Sequence, residues 1–220
     1  MRALVVAPHP DDEVLGCGGV MARHAAEGDE VHVLVVSRGI PEIFPPEEIE
    51  YTRGELREAH KVLGVRGTSF LEFPAPKLDA IPGHELADAI VRVIELAQPE
   101  VMYLPHRGDL NADHQAVYLA GLVAARPING CSVKKLLCYE TLSETEWSPP
   151  HGDAVFIPTV FVDISEYLET KIEALSCITS QLRDPPHPRS LDMIVALARF
   201  RGGTAGLMAA EAFALVRETI

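Results

Sequence analysis

A Rossmann-like α/β domain, doubly wound about a mainly parallel sheet with helices on both faces, is expected from three features of this sequence. Short continuous apolar runs, such as Ala3–Ala7 and Val31–Val36, have the length and composition of strands buried on both faces. Such runs alternate with longer stretches of helical pattern, as βαβ units require. With 220 residues and 47% hydrophobic content, the chain can bury one substantial core but not two full-sized ones. One domain over residues 1–220 is therefore expected, with right-handed crossovers.

Taken in order, Ala3–Ala7 is the first strand, and Gly16–Gly28 is a helix rich in alanine that stops at Gly28-Asp29. Val31–Val36 is the second strand. A proline-rich segment, Pro41–Pro46, leads into a long helix near Glu47–Leu63 that ends at Gly64. Thr68–Phe73 is the third strand, His84–Ala97 a helix, and Val101–Leu104 the fourth strand. Ala112–Ala125 is helical and Lys135–Glu140 is the fifth strand. Beyond residue 141 the pattern loosens. A late strand at Val160–Val162 and helices at Ile164–Ser180 and Leu191–Arg201 are expected, with the rigid loop Asp184-Pro-Pro-His-Pro-Arg189 between the helices.

Composition narrows the partners. A net charge of −13 argues against nucleic acid and anionic membrane as main partners. A local basic pocket can still oppose that sign, so an anionic substrate stays open. No apolar stretch approaches the length of a membrane span, and no leader pattern precedes the first strand. Cys17, Cys131, Cys138 and Cys177 lack CxxC spacing, and are expected to be reduced thiols of a cytoplasmic protein. A homo-oligomer is left open.

Two motifs carry the chemistry. Ala7-Pro-His-Pro-Asp-Asp-Glu13 places one imidazole and three carboxylates at the carboxyl end of the first strand, where α/β folds bind ligands. Like charges that close repel one another, and a bound cation is the simplest way to make the cluster tolerable. His9 and Asp12 are donors that suit zinc and similar divalent ions, and Pro8 and Pro10 stiffen the loop. A solvated acidic turn capping the next helix is the plainer alternative. A nucleotide loop fits worse: Gly16-Cys-Gly-Gly19 lacks the GxGxxG spacing, and three carboxylates would repel a pyrophosphate.

The second motif, His106-Arg-Gly-Asp-Leu-Asn-Ala-Asp-His114, follows the fourth strand. In the common doubly wound order, strands 1 and 4 are neighbours at the switch point, so both motifs face one crevice. His114 can then complete a three-ligand site with His9 and Asp12, the layout of a catalytic rather than a structural zinc. Asp113 and Asp109 are candidates to orient the imidazoles.

Together these motifs resemble the PIG-L/LmbE family of zinc-dependent de-N-acetylases. The resemblance rests on Pro8-His-Pro-Asp-Asp-Glu13 followed by Gly16-Cys-Gly-Gly19, on Arg53-Gly-Glu55 with Ala59 and Leu63-Gly64, and on Ala210-Glu-Ala-Phe213. It implies the family's fold, about one Zn2+ per chain on His9, Asp12 and His114, Asp11 as general base, and Arg53 near the substrate pocket. The implied activity is removal of an N-acetyl group from a small amino-sugar substrate of the N-acetylglucosamine type. One departure stands out: many members carry a histidine three residues before the last ligand, and here that position is Asn111.

The expected mechanism follows from such a site. The metal brings the pKa of water towards about 7 and polarises an amide carbonyl. Asp11 takes the water's proton and later passes it towards the amine. With Asn111 at the substrate, His187 is the favoured substitute for the missing histidine and His106 its rival, while Arg189 can bind an anionic part of the substrate. Trp147 and Tyr139 are candidate sugar-pocket residues, and His24, His32, His60 and His84 are expected to be structural and away from both motifs. Rival readings are an amidase of another small amide or thiol conjugate, a non-catalytic sugar-binding protein, and a dinucleotide enzyme.

Overall fold

The computed structural model describes all 220 residues and shows the expected doubly wound sheet. Its strands are β1 (Arg2–Ala7), β2 (Glu30–Gly39), β3 (Gly67–Ala75), β4 (Val101–Pro105), β5 (Lys135–Tyr139), β6 (Val160–Asp163) and β7 (Ala210–Glu218). Its helices are α1 (Asp12–Ala26), α2 (Pro46–Val62), α3 (Gly83–Ala97), α4 (Ala112–Ala124), α5 (Leu168–Ser176) and α6 (Leu191–Ala205). The sheet order is β3-β2-β1-β4-β5-β7-β6. The first five strands are parallel, and β7 runs antiparallel to both β5 and β6.

Strand alternation divides the core. Ala3 and Val5 of β1 pack with α1, α2, α5 and α6 on one face, while Leu4 and Val6 pack with α3 and α4 on the other. With both faces covered, the central strands need apolar residues at every position, which is why they read as unbroken apolar runs. The chain order reverses between β1 and β4, so the loops leaving these two strands flank one crevice.

Three elements differ from the sequence expectation. Helix α1 begins at Asp12, not Gly16, and carries Asp12 and Glu13 in its first turn, where the helix dipole favours acidic side chains. Helix α5 is shorter than Ile164–Ser180. Asp163 accepts from the amide and hydroxyl of Ser165, which holds the entry in a turn, and Glu55 of α2 takes Thr179 and Ser180 at the exit. Strand β7 is not among the strands expected from the sequence, although the Ala210-Glu-Ala-Phe213 motif lies at its start. Its buried Glu211 would argue against a strand interior, but Lys171 of α5 neutralises it at 2.6 Å.

Gly16 and Gly19 serve packing. A Cβ on Gly16 would lie 2.2 Å from the Tyr139 ring, and one on Gly19 would lie 2.7 Å from Ile164. Bare backbone therefore lets α1 settle against β5 and against the segment leading into α5. The carboxylate of Glu211 accepts from the Gly19 and Val20 amides, and Lys171 Nζ donates to the Leu15 carbonyl. These contacts clamp the helix that carries the first motif. No helix is long and apolar enough to cross a membrane, and all four cysteines are unpaired.

Candidate metal centre

The two motifs meet at the switch point. His9 follows β1, Asp12 opens α1, and His114 lies in the first turn of α4 after β4. Donor atoms of these three residues all lie within 4.8 Å of one another. The His9 and His114 rings are 5.4 Å apart, centre to centre, with Asp12 between them.

Each imidazole has one nitrogen taken by a carboxylate. His9 Nε2 is 2.9 Å from Asp113 Oδ2, and Asp113 Oδ1 accepts from the Leu78 amide at 2.8 Å. His114 Nδ1 is 2.9 Å from Asp109 Oδ2, and Asp109 Oδ1 accepts from Thr145 at 2.6 Å. This arrangement fixes both rings and leaves His9 Nδ1 and His114 Nε2 facing Asp12.

Asp12 Oδ1 and His114 Nε2 are buried with no hydrogen-bond partner. His114 Nε2 lies 3.2 Å from Asp12 Oδ2 but not along a hydrogen-bond direction. Ser37 Oγ, near the end of β2, and Thr141 Oγ1, just past β5, are likewise buried and unpartnered. Buried polar groups are nearly always satisfied, so these four orphans need an explanation. A divalent cation held by His9, Asp12 and His114 would satisfy the first two.

The charge balance agrees. Burial opposes a charge on His9, yet Asp113 and Asp12 raise it to about 9. Burial opposes a charge on His114 too, yet Asp12 and Asp109 hold it well above the usual histidine range. Burial works against Asp12 ionising, but His114 and His9 keep its carboxyl well below the usual range. The carboxylates of Asp12, Asp113 and Asp109 thus favour a proton on each imidazole. A divalent ion can replace those two protons with no change in net charge.

Asp11 stands beside this trio, 3% exposed. Its backbone, at φ 150° and ψ −27°, is in a conformation that L residues avoid. Its amide donates to Glu13 Oε2 at 3.3 Å. Burial pushes its carboxyl up to about 7, with Arg189 pulling the other way and Asp12 and Glu13 adding to the rise.

Other expected site residues are dispersed. Asn111 caps α4, accepting from the Asp113 amide at 3.0 Å. Arg189 reaches the centre, with Nη1 2.7 Å from Asp11 Oδ2. Arg53 lies on α2, bonded to Glu72 of β3 at 2.9 Å and stacked on Phe70, with no contact to the trio. His187 Nδ1 accepts from the Arg189 amide at 3.0 Å, and its ring meets Trp147 edge-on. His106 Nε2 is bonded to the Ala154 carbonyl at 2.8 Å. Tyr139 is fully buried with its hydroxyl on the Val6 carbonyl, so it packs the core instead of lining a sugar pocket.

One expectation is corrected. His60 is not remote from the motifs: Nε2 is 2.9 Å from Glu13 Oε1, and Nδ1 is 2.7 Å from Thr68 Oγ1. Glu13 would otherwise be a buried carboxylate without a side-chain donor. The contact spans 47 residues of sequence, and no local pattern announces it. Ser143, Glu144 and Gln181, which surround Arg189, are invisible in the sequence for the same reason.

Comparison with known proteins shows the family. The "Uncharacterized deacetylase YaiS" of Escherichia coli K12 is 32% identical over 178 residues, covering 78% of this chain and 87% of that protein. The 1D-myo-inositol 2-acetamido-2-deoxy-alpha-D-glucopyranoside deacetylase of Actinosynnema mirum is 28% identical, covering 82% and 81%. A conserved protein of Thermus thermophilus superposes with a TM-score of 0.81 at 27% identity, over 99% of this chain and 96% of that one. The fold extends further, to a 4-carboxy-2-hydroxymuconate hydratase of Pseudomonas at 21% identity and a TM-score of 0.75, so fold alone does not name a reaction. Residues 4–125, which contain both motifs, match the family described as PIG-L, GlcNAc-PI de-N-acetylase. The chain belongs to the PIG-L de-N-acetylase family.

Proposed function

We propose that this protein is a zinc-dependent N-deacetylase that hydrolyses the acetamido group of an amino sugar, giving acetate and the free amine. The carrying observation is the His9, Asp12 and His114 trio, with two orphaned donor atoms, beside the buried carboxylate of Asp11. The 2-acetamido sugar in a relative's name supplies the substrate class. Two imidazole nitrogens and one carboxylate oxygen are a donor set that would suit a catalytic zinc. We take residues 1–220 as one catalytic unit, supported by a single sheet that holds strands from both ends of the chain.

When bound, zinc supplies Lewis acidity that polarises the amide carbonyl and makes water acidic, with a pKa of about 7. The chain's own groups move the protons. Asp11 takes the proton from the attacking water and returns it to the amine nitrogen as the carbon–nitrogen bond breaks. His106 is committed to Ala154, whereas His187 uses only Nδ1, as an acceptor. Its Nε2–H therefore remains as a donor for the developing oxyanion. Asn111 and Arg53 are assigned to the substrate's polar groups.

The test is acetate release from N-acetylglucosamine and its glycosides by protein stripped with chelator and reloaded with zinc. Acetate and free amine in equal amounts, lost on stripping and regained on reloading, are expected. Release by rigorously metal-free protein, or none from any acetamido sugar by loaded protein, would overturn the reading.

A further inference from the structure

Arg189 enters the centre from the loop between α5 and α6, 178 residues from Asp11. Its guanidinium is largely engaged within the protein. Nη1 donates to Asp11 Oδ2 at 2.7 Å and to Gln181 Oε1 at 3.4 Å, and Nε donates to Ser143 Oγ at 2.7 Å. Nη2 faces Glu144 Oε1 at 3.8 Å. An anionic substrate group would find one cation already flanked by two carboxylates. The geometry does not suit the substrate-anion role expected from the sequence.

The loop is itself anchored. Glu55 of α2 takes the side chains of Thr179 and Ser180, and Ser190 caps α6 by accepting from the Met193 amide. Arg189 is thus held at both ends of a short, proline-rich segment. Asp11, by contrast, has a backbone conformation that L residues avoid, and Arg189 holds only Oδ2 of its carboxylate, leaving Oδ1 without a hydrogen-bond donor.

Resting on the reading of Asp11 as general base, we propose that Arg189 is its positioning residue. The guanidinium pins Oδ2 and so selects Oδ1 as the oxygen that handles the proton. As water's oxygen bonds to the acyl carbon, its O–H bond breaks and the proton passes to Oδ1. As the carbon–nitrogen bond breaks, that proton passes to the amine nitrogen. Arginine keeps its own protons throughout, so it cannot short-circuit the transfer. Only Nη1 reaches Asp11, while Nε is held by Ser143 and Nη2 faces Glu144, so these neighbours fix the direction from which the guanidinium meets Oδ2.

A merely substrate-gripping arginine would raise KM and leave kcat alone, whereas a residue acting through Asp11 lowers kcat and leaves KM alone. With wild-type deacetylation established, Arg189→Ala is expected to lower kcat tenfold or more, with KM within twofold and bound zinc unchanged. Millimolar guanidine hydrochloride is expected to restore part of that kcat, and Arg189→Lys to retain less than the guanidine-rescued variant. In an Asp11→Asn background, Arg189→Ala is expected to cost little more, and guanidine to do nothing. A raised KM at unchanged kcat, an undiminished loss in the Asp11→Asn background, or no rescue would each overturn the proposal while leaving the deacetylase reading intact. A second measurement needs no turnover. In chelated protein, the Tm effects of Asp11→Ala and Arg189→Ala are expected to be non-additive, and strict additivity would overturn the pin even if no sugar were ever deacetylated.

Discussion

Asp11 illustrates how much one residue can be asked to do. Burial raises its carboxyl to about 7, while Arg189, in direct hydrogen-bond contact, keeps the ionised form within reach. Asp11→Asn preserves the shape and an acceptor for Arg189 but removes the base. It is expected to keep zinc and lose about 10²- to 10⁴-fold in kcat, checked by metal analysis and single-turnover acetate release. His114→Ala should act on the other half of the centre. It removes the orphaned Nε2, leaves Asp109 still bonded to Thr145, and is expected to drop bound metal from about one per chain to a trace without unfolding. His187→Ala is expected to lower kcat with metal retained, because Nε2 is proposed to act only on developing charge. An unchanged kcat would pass that role to Asn111 or solvent.

At the scale of elements, α1 is the part on which the site depends, and two of the contacts that seat it can be tested separately. The first is the close approach at Gly16, where any side chain meets the Tyr139 ring. Gly16→Val is expected to destabilise the fold by about 1–3 kcal/mol or more, read from the urea midpoint at constant m-value. The second is the buried Glu13–His60 pair joining α1 to α2. His60→Ala strands a buried carboxylate, with an expected cost of about 3–5 kcal/mol. The neighbouring exposed pair, Lys61 with Glu58, provides the contrast: Lys61→Ala is expected to change stability by less than about 1 kcal/mol. Equal effects of the two substitutions would show that Glu13 does not rely on His60.

For the whole molecule, the proposed metal would be a ligand of the native state alone. The trio draws on residues 9, 12 and 114, which are scattered in the unfolded chain, so binding is linked to folding. At a free concentration about 1,000 times Kd, such a ligand adds about 4 kcal/mol. For a chain of this size, that corresponds to a Tm shift of roughly 8–16 °C, at about 2–4 °C per kcal/mol. Stripping with chelator is expected to lower Tm by that order in the wild type and to leave His114→Ala unmoved. Calorimetric scans of the four samples check it.

Much of this protein was legible in its sequence. Apolar runs spaced by helical patterns determine the parallel sheet, because both faces of each strand must be buried. The crowding of His9, Asp11, Asp12 and Glu13 after β1, and of Asp109, Asp113 and His114 after β4, was enough to expect a cation site. Local chemistry and the switch-point rule carry that inference without distances. Only the tertiary structure decided what depends on contacts between distant segments. It chose Arg189 as the partner of Asp11, His60 as the partner of Glu13, and β7 as the strand between β5 and β6. Each of these joins charged or small residues whose local pattern favours no particular neighbour. Their pairing is set by where the sheet and helices place them, and by the cost of leaving a buried charge alone.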